Sequence, residues 1–493
     1  MKGLPYYLFV VAVGGLVGLL TSVASGMQLK WLIVFLGGMA LLSAFALTSH
    51  HRRLALGLFT LFITIFMGKQ IFSSGYKLIT GGPSSLGLFL YDIPLAVLVL
   101  IFIKERMYNR RGPVYIPPVF YALACFILWG VVSIINSVEP VLTFIEVLWL
   151  CKMAVILLMM VNLVKDKKDL FLVIAVLMAG LFMQEIITFA QSYLKEWFTF
   201  TGDVEQSTFQ EGTYSEVFRA GGTVGPHNVQ SAYYVLLIPL AAGIFFSLRQ
   251  KTVRFVLLPL IAAGILALVL TYSRNGYLSL TVAMIVFAVI GWRKKIINRR
   301  HLFAGFWGIS VTCLIIFILI GDSLVARISS TAAVVPRLEG MEIALNMVRQ
   351  HPIAGVGLNN FSVAMGDTAY SPEGISSMQR TFFGGEFVGT VVHNKFLLVA
   401  SQMGIVGFMI FIWTMYIIYL YAIKLLKGDR FYAGIGIGMT AALAGASVQM
   451  MFDIYNSDIL ITIFWVLVGV IFVSSRISAQ EEKLQAGPTS IRY

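Results

Sequence analysis

The amino-acid sequence predicts an all-α integral membrane protein: a polytopic helical bundle of about 12 to 14 transmembrane helices with one large extracytoplasmic loop containing short helices. Three observations carry that prediction. Apolar residues make up 58% of the 493 and charged residues only 12%, a balance unsuited to a surface bathed in water. Apolar runs long enough to cross roughly 30 Å of hydrocarbon recur from Tyr6 to Val473. Lysines and arginines are concentrated in alternate connections between those runs.

Runs of about 17 to 22 apolar residues begin near Tyr6, Trp31, Leu54, Leu86, Ile116, Val141, Leu170, Gln230, Phe255, Tyr277, Leu302, Asn394, Phe431 and Leu460. The first run reads as one of many spans rather than a cleaved signal peptide. Four segments follow from the pattern: 1–203, N-terminal helices; 204–321, central helices with a first outer loop; 322–393, a large outer loop; and 394–493, C-terminal helices with a short tail.

Cytoplasmic loops accumulate basic residues. Arg52-Arg53, Lys104 to Arg111, Lys165 to Lys168, Arg249 to Arg254, Arg293 to Arg300 and Lys424 to Arg430 fall in alternate loops, which places both termini in the cytoplasm. The net charge of +13 is then mostly a topology signal, with no nucleic acid expected as a partner. The remaining loops face outward, and two are long, from Gln191 to Pro226 and from Asp322 to Val392. The second has apolar residues at Leu338, Met341, Ala344, Leu345 and Val348, the spacing of an amphipathic helix at the interface. His351-Pro352 closes it.

Cys125, Cys151 and Cys313 all lie inside apolar runs, where they read as core residues rather than a disulfide framework or metal site. The sequence has no Asp-x-Asp pair, no His-Glu-x-x-His and no phosphate-binding glycine loop of the Walker type. The expectation is therefore a chemistry with no metal and no cofactor, in which cationic side chains neutralise the substrate.

Outward-facing basic residues are scarce, so each one carries weight. Arg274, in Thr271-Tyr272-Ser273-Arg274-Asn275-Gly276, lies between two apolar runs with almost no loop, where a charge is costly unless used or paired. Its alternative reading is an arginine that snorkels to lipid phosphates. Arg337 heads the loop helix, an unfavourable end for a cation, and a structural salt bridge is its alternative. Arg219 has the same ambiguity, whereas Arg327, Arg349 and Arg380 read as solvated charges. Glu339, two residues beyond Arg337, points to another helix face. His393, where the long loop meets the next span, can take a proton from a hydroxyl, though a histidine at a helix start also caps or packs. His227-Asn228 repeats the His393-Asn394 dipeptide at another outer helix start. Within apolar runs, Glu146 and Lys152 read as a structural pairing, while Glu185 and Lys69 read as lining an outer cavity.

The order of these pieces is specific. Ser273-Arg274 after a span, Arg337 heading a helix that leads to His351-Pro352-Ile353-Ala354-Gly355-Val356-Gly357-Leu358-Asn359-Asn360-Phe361, then His393-Asn394 and Gln402-Met403-Gly404-Ile405-Val406-Gly407 together resemble the O-antigen ligase and polymerase family. The resemblance spans roughly Arg219 to Gly407. It implies a GT-C-like membrane glycosyltransferase in the plasma (inner) membrane. Such an enzyme is metal-independent and inverting, with an extracytoplasmic active site and residues 322–393 as its catalytic loop. The implied substrate is an undecaprenyl-pyrophosphate-linked oligosaccharide among membrane lipids, and the implied partner protein a chain-length regulator. Family arginines that bind the pyrophosphate map onto Arg274 and Arg337, and the family's base onto His393; Arg219, Asn394, His227, Asn228, Glu339 and Gln402 are the further substrate-binding candidates. Gln402 departs from the pattern, because many relatives carry Glu there. Polymerisation of a cell-surface polysaccharide is the favoured reading, ahead of ligation of a finished glycan to a lipid or protein. A lipid-linked oligosaccharide flippase is a distant alternative, since transporters place their charges near the midplane in repeated halves and no internal repeat is visible.

Overall fold

The structure, a computed structural model, describes residues 52–65, 67–73, 82–108, 113–197, 218–298, 300, 334–365, 369–370, 381–383, 386–388 and 391–485. The spans expected near Tyr6, Trp31 and Leu302 lie outside the described residues. In chain order come α1 (Arg52–Phe62), an antiparallel pair β1 (Gly68–Ser73) and β2 (Ser85–Phe89), α2 (Asp92–Tyr108), α3 (Pro118–Val132), α4 (Pro140–Leu163) and α5 (Lys167–Leu194). Then follow α6 (His227–Ser247), α7 (Lys251–Leu270), α8 (Arg274–Arg293), α9 (Val334–Gln350), the short α10 (Phe361–Ala364), and the antiparallel pair β3 (Thr381–Phe383) and β4 (Glu386–Val388). The chain closes with α11 (Lys395–Lys424), α12 (Arg430–Phe452) and α13 (Asp458–Gln485).

Among the described residues nine helical stretches are long and apolar enough to cross a membrane. They correspond to the expected runs beginning near Ile116, Val141, Leu170, Gln230, Phe255, Tyr277, Asn394, Phe431 and Leu460. The protein is an all-α polytopic membrane protein. The runs near Leu54 and Leu86 give shorter helices, α1 of 11 residues and α2 of 17, the second because Ser85–Phe89 pairs as a strand with Gly68–Ser73 before the helix begins.

Helix α12 is the hub. In the absence of a hydrophobic drive between helices inside lipid, close backbone approach decides packing, and α12 supplies it with Gly434 and Gly438, four residues apart. A Cβ at Gly438 would stand 2.6 Å from the Pro239 carbonyl of α6, and one at Gly434 would stand 2.6 Å from the Gly243 carbonyl. Both are inside van der Waals contact. Helix α6 is accordingly enclosed along its length, from Gln230 to Ile244.

One end of the bundle collects the basic loops and pairs them. Asp169, fully buried, receives Arg52 and Arg53 at 2.6 Å each. Lys165 reaches Glu105 at 2.6 Å, and Lys167 reaches Asp429 at 3.2 Å and Glu481 at 3.6 Å. Arg476 donates to the carbonyls of Val161 and Val164. Loops far apart in sequence thus share one charged rim.

Charges within the spans are partnered differently from expectation. Residues six apart on a helix point roughly 120° apart, so Glu146 and Lys152 face different neighbours. Lys152 lies 2.7 Å from Asp92, above the rings of Phe89 and Tyr91, while Glu146 stands in the fields of Lys395 and Asp458. Glu185 is buried beside Gly264 and Ile238, with neither carboxyl oxygen hydrogen-bonded among the described residues. Lys69 lies in β1, its side chain outside the described residues.

Candidate active site

Opposite the charged rim, several helix ends meet. Asn394 is the N-cap of α11, its side chain accepting from the Leu397 N–H at 3.0 Å, as the residue type favours. That leaves His393 one residue outside the helix, held by a chain end that cannot fray easily. Its Nδ1 stands 4.0 Å from Asp453 Oδ1, at the C-cap of α12. The distance exceeds a hydrogen bond, and Nδ1 has no hydrogen-bond partner among the described residues. Burial, reinforced by the charge of Arg337, pushes the imidazole down to about 4. Burial pushes Asp453 up to about 6, against the pull of the Ile454 N–H, Arg337 and Gln449. Near neutral pH the pair is therefore an uncharged imidazole beside a carboxylate.

Arg337 lies in the first turns of α9, half-buried. Burial and the neighbouring charge of Arg274 act against its positive charge, and Asp453 supports it. No ion pair joins Arg337 to a carboxylate among the described residues; the loop carboxylates Asp367 and Glu373 lie outside them. Two guanidiniums in each other's field at a water-lipid boundary are costly unless an anion lies between them.

Arg274 is the first residue of α8, directly after the N-cap Ser273. The turn before it is clamped. Arg219 donates through Nε to the Thr271 carbonyl at 3.2 Å and through a terminal nitrogen to the Tyr272 carbonyl at 3.2 Å, while approaching Asn228 Oδ1 at 3.5 Å. Tyr272 has a positive φ of 49°, a costly conformation for this residue type. Ser273 Oγ donates to Asn228 Oδ1 at 3.0 Å, Ser231 Oγ bonds Ser273 Oγ at 3.1 Å, and Asn275 donates to the Gln449 carbonyl at 3.1 Å. The N-termini of α6 and α8 are thereby locked to α12. Their amide ends add positive potential beside Arg274.

The two His-Asn dipeptides play different parts. Asn394 caps a helix, whereas Asn228 is a hub between Arg219 and Ser273; His227 opens α6 with no side-chain cap at Pro226. Glu339 lies one turn into α9, half-buried. Arg349 is exposed and bonds Asn346; Arg327 and Arg380 lie outside the described residues.

The glycine motif builds the support under this site. Helix α11 is interrupted at Gly404, where φ is 65° and ψ −171°, so nearby backbone groups lose their helical partners. The 351–357 segment supplies replacements. Val356 N–H reaches the Ser401 carbonyl at 3.0 Å, Gly357 N–H the Gln402 carbonyl at 2.9 Å, and Ile405 N–H the Pro352 carbonyl at 2.8 Å. Trp129 Nε1 takes the Met403 carbonyl at 2.9 Å. Gly355 and Gly404 have positive φ, and a Cβ on either would collide with backbone of the other strand of this contact. Asn360 then ties the segment to α4, accepting from Glu139 N–H at 2.7 Å and donating to Thr143 Oγ1 at 2.9 Å. Gln402 enters through its carbonyl; its side chain is buried, with Nε2 unbonded among the described residues.

Asp453 is the member that sequence reasoning missed. Its signal was an acidic residue just past the Phe431 span, in Asp453-Ile454-Tyr455-Asn456-Ser457-Asp458, a connection too short to draw attention beside two long loops.

The guanidiniums of Arg274 and Arg337 beside the His393 imidazole, at one end of a polytopic helical membrane protein, form an arrangement that can hold an anion. Residues 259–412, about a third of the chain, match the O-antigen ligase family model. The match contains Arg274, Arg337, the 351–357 segment, His393, Asn394 and the Gly404 break; Arg219, Asn228 and Asp453 lie outside it. No curated protein matches the chain.

Proposed function

We propose that the chain transfers a saccharide from an undecaprenyl-pyrophosphate carrier to a sugar hydroxyl at the outer face of the plasma membrane, with inversion at the anomeric carbon. The observation that carries this reading is the convergence of Arg274 and Arg337 on the neighbourhood of His393 and Asp453. A departing pyrophosphate bears several negative charges. Planar guanidiniums hold them bidentately, in a site where such contacts gain strength from low dielectric.

His393 is the base. The acceptor oxygen attacks the anomeric carbon as its proton passes to the free nitrogen of the imidazole. The bond from that carbon to the pyrophosphate breaks on the opposite face, and its electron pair leaves with the phosphate. Asp453 supports the imidazolium that forms. An imidazole held near 4 is a weak base at neutral pH, but the donor's phosphates offset the charge of Arg337, so donor binding itself raises the basicity of His393. Donor binding and the basicity of His393 are coupled through one arginine. Arg219 and Asn228 position Arg274, and Asn394 positions His393; His227, Glu339 and Gln402 remain substrate-contact candidates.

Polymerisation is favoured over ligation, since no part of the chain reads as a docking domain for an acceptor protein. The purified protein given a lipid-linked repeat is expected to produce a ladder of lengthening products. His393→Ala is expected to lose at least about a hundredfold in rate while eluting as the wild type does. Full-length polymer from His393→Ala would reject the base assignment, and a single product from the wild type would favour the ligase.

A further inference from the structure

A cavity of about 250 Å³ opens near the same end of the molecule. Trp197 and Thr223 line one side, Ser84 another, and Asn456, Ser457 and Asp458 close it from the α12–α13 connection. Its volume lies just below the roughly 300 to 1,000 Å³ of common ligand pockets, which suits one sugar ring better than an extended chain. Trp197 is set by Gly221: a side chain there would run into the indole, so the bare glycine lets the ring lie against the backbone. Thr223 is held by Gln184, which donates to its hydroxyl at 2.6 Å and accepts from its N–H at 3.0 Å.

The chemistry of the lining selects among ligands. Among the described residues it holds an aromatic surface, hydroxyls, an amide and a carboxylate, and no lysine, arginine or histidine. A phosphate finds no counter-charge among those lining residues. A neutral polyhydroxylated ring finds an aromatic plane for its C–H face and alternating donors and acceptors for its hydroxyls.

The cavity is joined to the reaction centre by two short tethers. Asp453 and Asn456 are three residues apart, a separation of at most roughly 10 Å. On the other side Pro226 of the lining is followed two residues later by Asn228, which bonds Ser273 beside Arg274. Resting on the glycosyltransferase reading above, we infer that this cavity is a saccharide subsite, holding a ring of the glycan near the sugar that reacts at His393.

The test uses the purified full-length protein and the phosphate-free oligosaccharide released by mild acid from the source cell's own lipid-linked repeat. Saturation-transfer NMR is expected to show binding to the wild type and to Arg274→Ala. Trp197→Ala and Asn456→Ala are expected to weaken binding about tenfold, with Trp197→Phe restoring most of it. Absence of saturation with the wild type, or equal binding by all variants of matching elution profile, overturns the subsite. The measurement needs no turnover, so it separates this inference from the transfer chemistry. In the transfer assay the same variants are expected to raise KM for whichever substrate the ring belongs to, acceptor or lipid-linked donor. Unchanged KM for both overturns it.

Discussion

At the scale of single residues, His393 gains its character from its surroundings. An exposed imidazole would titrate near 6.5; here burial and Arg337 hold it near 4, so it stays uncharged and open to a proton. Asp453, pushed up to about 6 by burial, protonates first as pH falls. The sign is then fixed. Above 6 the carboxylate is present to support the imidazolium, and between 6 and 4 that support is lost while His393 is still neutral. The acid limb of kcat/KM is expected near 6. In Asp453→Asn that limb is expected to vanish, leaving a lower plateau that falls only near 4. An unchanged limb in the variant would remove Asp453 from the mechanism. Arg274→Lys is expected to be nearly as damaging as Arg274→Ala, because a point charge does not reproduce the planar fork.

At the scale of elements, the broken helix α11 and the 351–357 segment form one unit. A helix interrupted in a low-dielectric setting must hand its freed backbone groups to other partners, and the segment that does so also carries Asn359 and Asn360 to α4. Gly404→Val places a β-branched residue at a φ of 65°, costing about 1 to 2 kcal/mol in the backbone alone, with the collision against Ile353 and Ala354 added. A large drop in the melting temperature in detergent is expected. Trp129→Phe removes one hydrogen bond, worth about 1 kcal/mol, and a small drop is expected. Equal melting of the two variants would show that the break is not held as described.

At the scale of the molecule, the basic loops and the site occupy opposite ends. That separation makes the orientation testable. With Cys125, Cys151 and Cys313 replaced, a cysteine at exposed Ile353 is expected to react with a membrane-impermeant maleimide on intact cells, and one at exposed Lys168 only after permeabilisation. The reverse pattern would place His393 in the cytoplasm and end the lipid-carrier reading. At the rim of basic loops Asp169 pairs with Arg52 and Arg53, whereas at the opposite end Arg337 and Arg274 stand in each other's field.

Much of this was legible in the linear chain, because hydrocarbon imposes a length and an apolar composition on every segment that crosses it. Among the described residues nine helical stretches matched runs that could be read directly, and the arginines and histidine at the ends of spans were conspicuous since charge is expensive there. Where Glu146 and Lys152 found their partners was not legible: a helix shows each face to a different neighbour, and which neighbour depends on packing. The 351–357 glycines read as a motif without a task until Gly404 was seen to open the helix beside them. Asp453 came to His393 across some sixty residues of intervening chain, a proximity set by α11 running down the bundle and α12 returning. Sequence by itself determined that this protein lies in a membrane and which residue types reach its rim; only the tertiary structure decided which of them stand together, because contact between distant helices is a property of their packing and not of any segment alone.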